Sequence, residues 1–105
     1  MQTETPMAMS YQEKAGALNA LSPIAINCRG PNNWYVSQSV EVADGRFLVG
    51  EYGNGRTPQD AVEDHWRVLV EDLKPDKYLV VGASTDKRRA ARWNGFMWAT
   101  VTEKG

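Results

Sequence analysis

The sequence predicts an α+β fold: an antiparallel sheet covered on one face by helices, in the order α-β-β-β-α-β-β-β. Three observations predict it. Two alternating runs flank Asp44-Gly45, the pattern of strands joined by a two-residue turn. Val62, Trp66, Leu69, Val70 and Leu73 make one apolar stripe at helical spacing. Arg92-Trp93 and Phe96-Met97 flank Asn94-Gly95, a second hairpin signal. Sheet and helix each show one apolar face, and each needs the other to bury it. With 105 residues, 42% hydrophobic and 24% charged, the chain is expected to fold as one domain over residues 10–105.

The elements follow in order. Residues 1–9 show no periodic pattern and read as a flexible tail. Ser10 and Glu13 fit a capping box, in which each side chain satisfies a free backbone N–H at a helix start. Tyr11, Ala15, Leu18 and Leu21 then share a face, and Ser22-Pro23 ends that helix. Ile24, Ile26 and Cys28 alternate as a short strand, which puts Cys28 at a buried position. Gly30-Pro31-Asn32-Asn33 is a loop. With Asp44-Gly45 as the turn, Val42 faces Phe47 and Val40 faces Val49. Trp34 and Val36 continue that apolar face, which Gln38 and Glu51 interrupt. Thr57 is an N-cap and Pro58 fits the first helical position; the helix should end near Lys74. Tyr78–Ala83 is a buried-type strand. With Asn94-Gly95 as the last turn, Ala91, Trp93, Phe96 and Trp98 share one face. Core packing is the expected use of these aromatics, and a stacking surface the alternative.

Composition narrows function. A formal net charge of -1 excludes a globally basic nucleic-acid binder, though not a local basic patch. One cysteine excludes an internal disulfide and every multi-cysteine metal site, and one histidine removes most zinc arrangements. No apolar run approaches the roughly 18 residues of a membrane span, and no signal-peptide pattern opens the chain. A cytoplasmic setting is the expectation, with no membrane, metal or cofactor. His65 and Cys28 lie on different elements. His65, beside the apolar stripe, reads as a half-buried structural residue, and no catalytic constellation emerges. The Gly53–Thr57 loop reads as a strand-to-helix turn with a cap.

Charge is uneven. Residues 1–86 hold seven Lys or Arg against twelve Asp or Glu, whereas residues 87–105 hold five basic and one acidic. The acids Asp60, Glu63, Asp64, Glu71 and Asp72 gather on one helix and mark a candidate surface for a cationic protein. Arg56, Lys87, Arg88, Arg89 and Arg92 mark the alternative, a surface for RNA or single-stranded nucleic acid.

Residues 10–73 resemble a double-stranded RNA-binding domain. The likeness rests on the helix–strands–helix order, Gly30-Pro31, the Trp34–Val42 run, Gly45, and Gly53-x-Gly55-x-Thr57 leading to Ala61. That family grips phosphates with a Lys-rich helix start; the matching Thr57–Ala61 carries an acid and no lysine. The same unit, with Thr57-Pro58-x-x-Ala61, is similar to HicB-type antitoxin domains, which implies a small toxin as partner. In overall style the chain resembles a small phage or prophage accessory protein. That likeness implies an inhibitor of a host nucleic-acid enzyme or defence complex, of anti-CRISPR or anti-restriction type, acting in the host cytoplasm. The reading that follows is a non-enzymatic protein-binding module whose partner is a host protein or ribonucleoprotein complex.

Overall fold

In the computed structural model, which describes residues 9–103, the first element opens on the capping box read from the sequence. The Ser10 hydroxyl accepts the Glu13 N–H, and the Glu13 carboxylate accepts the Ser10 N–H at 2.9 Å. Helix α1 (Tyr11–Leu21) buries Leu18 and Leu21. The tail expected over residues 1–9 lies outside the described residues except for Met9, which packs on the core.

Five strands separate the two helices: β1 (Ile24–Gly30), β2 (Asn33–Gln38), β3 (Val40–Asp44), β4 (Phe47–Gly50) and β5 (Gly53–Gly55). Three more follow the second helix: β6 (Tyr78–Val81), β7 (Arg89–Trp93) and β8 (Trp98–Thr100). The class is α+β and every pairing is antiparallel. The one expected sheet is two. The first has the order β1-β2-β5 and the second β4-β3-β6-β7-β8. The chain bends between them at Ser39. Val36, Val40 and Val42 are buried on both sides of that bend, so the period-2 alternation runs through it unbroken. The pattern therefore reads as one strand although the backbone makes two.

In both hairpins each cross-strand partner lies two residues later than a turn at the Gly-containing dipeptide implies. Val42 lies opposite Val49 and Asp44 opposite Phe47, which leaves Gly45-Arg46 as the loop. Gly45 takes φ +62, a conformation that costs glycine little. The shift of two keeps every side chain on its expected face. It moves Phe47 to the hairpin end, 74% exposed, instead of into the core, and leaves Val49 exposed as well. At the second hairpin Trp93 lies opposite Trp98. The Asn94 side-chain oxygen accepts the N–H groups of Phe96 and Met97, and the Asn94 N–H donates to the Met97 carbonyl. Asparagine thus organises a four-residue loop. Trp93 and Trp98 pack on the core as expected, but Phe96 stands 90% exposed at the tip.

Helix α2 (Pro58–Trp66) has Thr57 as its N-cap, the hydroxyl accepting the Asp60 N–H at 3.0 Å. It continues as a π-helical turn over Arg67–Glu71. Val62, Trp66 and Leu69 are buried, with Val70 and Leu73 packed around them. The β5 glycines let that strand lie flush against α2. A Cβ at Gly53 would sit 2.3 Å from the Ala61 carbonyl oxygen, and one at Gly55 2.5 Å from the Ala61 nitrogen. Trp66 of α2 meets Trp93 and Trp98 edge to face, with ring centroids 5.2 and 6.2 Å away. Among the described residues no helix is long and apolar enough to cross a membrane.

Candidate functional site

The stripe that buries Val62, Trp66 and Leu69 leaves the opposite side of α2 to water, and the acids collect there. Asp60, Glu63, Asp64 and Glu71 line one shallow concavity with Lys14, Asn54 and Arg67. Asp72 lies beyond it, at the rim of an apolar groove formed by Val42, Val49, Val68 and Leu73. Arg67 joins the two places by pairing with both Asp64 and Asp72. Lys14 of α1 reaches across to Glu63. The Asp64 carboxylate also accepts the Asn54 N–H at 2.9 Å. Partial burial alone would raise its pKa; the Asn54 N–H and the Arg67 guanidinium hold it below the usual value. Among the described residues Asp60 and Glu71 form no ion pair. Both are exposed.

The basic residues are spread over different tasks. Arg88 makes a two-oxygen grip on Glu103, which holds the Glu103 carboxyl below its ordinary range. Arg89 donates to the Leu21 carbonyl at the C-terminus of α1, a position where a helix welcomes positive charge. Arg92 donates to the carbonyls of Lys74 and Lys77 and so ties down the turn after α2. Lys87 and Arg56 stand exposed, on separate elements. The structure thus gives Arg88, Arg89 and Arg92 internal partners.

His65 is 1% exposed, deeper than the half-buried position its place beside the stripe suggests. Its Nε2 lies 3.0 Å from the Gln38 side-chain oxygen. The Gln38 amide nitrogen donates to the carbonyls of Leu18 and Ser22, both at 2.6 Å. The amide is thereby oriented, its oxygen can only accept, and Nε2 of His65 must carry the proton. Nδ1 then holds a buried lone pair without a partner. Burial lowers the His65 pKa to about 4, with Asp64 opposing the shift. The ring is neutral near pH 7 and is part of the core. Gln38 was legible only as a break in the apolar face; it is the joint between α1, β2 and α2.

Cys28 is exposed rather than buried. Strand β1 is an edge of the first sheet, so its inward positions reach past the helices that cover β2. Its thiol donates to the Gly30 carbonyl. Among the described residues no group of three His, Cys, Asp or Glu side chains is placed to share a metal ion. No protein-family model, no curated protein and no solved structure matches this chain.

Proposed function

We propose that the chain is a non-enzymatic protein-binding module that presents the outer side of α2 to a cationic protein surface. The observation that carries this reading is the charge of that side: Asp60, Glu63, Asp64 and Glu71 stand against Lys14 and Arg67, with Asp72 at the neighbouring rim, on a helix whose other side is core. Internal pairs fix the positions of Glu63, Asp64 and Asp72, while Asp60 and Glu71 remain to meet a partner. A carboxylate face of this kind suits arginines that otherwise hold phosphates. It fits an inhibitor of a host nucleic-acid enzyme or defence complex, of the anti-CRISPR or anti-restriction type.

The test reverses only the two unpaired acids. Asp60→Lys with Glu71→Lys leaves the internal pairs intact, so helical circular dichroism should match the wild type. Capture of the partner from host lysate should fall about tenfold or more, and wild-type capture should weaken as salt rises, because exposed charges are screened within about 10 Å at 0.1 M. Equal capture by both proteins, with matching spectra, would show that this side of α2 is only solvated.

A further inference from the structure

The first sheet has a second face, turned away from α2. Val36 is fully buried under the helices, so the alternate residue Tyr35 points outward, and its partners across the sheet are Asn27 and Asn54. Arg29 lies over the Tyr35 ring, its guanidinium carbon 3.9 Å from the centroid, and donates to the Asn54 side-chain oxygen at 3.0 Å. Tyr52 stands edge-on to Tyr35, with centroids 6.3 Å apart, and is 55% exposed. Arg56 follows β5 two residues after Asn54 and is also exposed. No residue that alternates onto this face, from Ala25 to Arg29, from Asn33 to Ser37, or at Asn54, is acidic.

We propose that this outer face binds single-stranded nucleic acid, with bases stacked on the Arg29 guanidinium and the Tyr52 ring. Three features select that ligand. The Arg29 guanidinium is held over the Tyr35 ring and tied to Asn54, which fixes it in place as a stacking surface for a base. The Tyr52 ring, at 77° to Tyr35, supplies a second one that does not compete with the first. Arg29 and Arg56 supply positive charge that a phosphate backbone complements, and Asp64, which borders the face at Asn54, is already paired with Arg67. Asn27 and Asn54 add amide donors and acceptors within reach of base edges. Glu51 stands next to Tyr52, so the phosphates run toward the Arg29 and Arg56 end. A duplex hides its base faces and offers this surface little.

The experiment uses the whole chain and labelled oligouridylate and oligothymidylate of about twelve nucleotides, with a duplex of equal length and inorganic polyphosphate as comparisons. Both single strands should bind, and their ratio reports whether the 2′-hydroxyl is read. Two phosphate contacts predict an affinity loss of about sevenfold between 50 and 200 mM salt. Tyr52→Ala should weaken binding about tenfold, and Tyr52→Phe, which keeps the ring, should not. Arg29→Lys keeps the charge but loses the plane and should also weaken it. Both positions are exposed, so melting temperature should hold. Asp60→Lys with Glu71→Lys should leave oligonucleotide affinity undiminished, which separates this surface from the acidic one. The proposal is overturned by no binding of either strand at low salt, by duplex or polyphosphate binding as tightly, or by Arg29→Lys and Tyr52→Ala behaving as wild type.

Discussion

His65 links a single proton to the stability of the whole core. Its ordinary pKa near 6.5 belongs to the unfolded chain; burial sets it at about 4 in the fold. Between these values the unfolded state binds more protons, so stability rises with pH there and is lost as pH falls. The loss should reach about 3 kcal/mol between pH 7 and pH 4. The carboxyls of Asp44, hydrogen-bonded by Lys77, and of Glu103, held by Arg88, are lowered in the fold, so they also give up stability as pH falls, toward the acid end of the series. Urea unfolding at a series of pH values should therefore show a decline from pH 6.5 downward that His65→Gln largely removes. The same decline in the variant would assign it elsewhere. The sequence disclosed His65 as structural, but not its depth. Depth depends on Gln38, and a polar residue on an apolar strand face looks like an edge until its two carbonyl partners are known.

At the scale of elements, period and capping were the legible signals, and both helices start where Ser10 and Thr57 place them. Hairpin register was not. A Gly-containing dipeptide marks a turn, but a shift of two residues leaves every face unchanged, so hydrophobic pattern cannot detect it. Phe47 and Phe96 went to solvent for that reason, and the register predicts their energetics. Phe96→Ser should leave the melting temperature within a degree or two of wild type, as exposed positions do. Val36→Ala, in β2 of the first sheet and fully buried, should cost about 1–3 kcal/mol in chemical denaturation. A large loss at Phe96 would mean that the loop packs inward after all. Nor does the sequence mark which acids are spent internally. The pairing of Glu63 depends on Lys14, 49 positions away.

Across the whole molecule, two sheets become one body through the helices. Trp66 belongs to α2, Trp93 to β7 and Trp98 to β8, and their edge-to-face contacts join the helix to the second sheet. Trp66→Ala should cost about 3–5 kcal/mol, a large share of a typical domain's total, and its loss should appear as one unfolding transition. An unchanged melting temperature would sink this account of the core. The split into two sheets lay beyond the sequence because the bend at Ser39 preserves alternation. The charge asymmetry was plain to read, but its destination was not: Arg89 serves the end of α1. That end is held by Gln38 from the first sheet and by Arg89 and Trp98 from the second, the Trp98 indole N–H donating to Ala17 at 2.7 Å. These anchors are made in order on the ribosome. Trp98 is translated 81 residues after Ala17, which takes roughly 4–16 s at usual elongation rates. Until then α1 lacks part of its anchoring, and at eleven residues it is shorter than the roughly 12–15 residues an isolated helix needs. The end of α1 therefore gains its full set of anchors only after β8 has been made, which makes the first helix of the chain the last to be fully tied down.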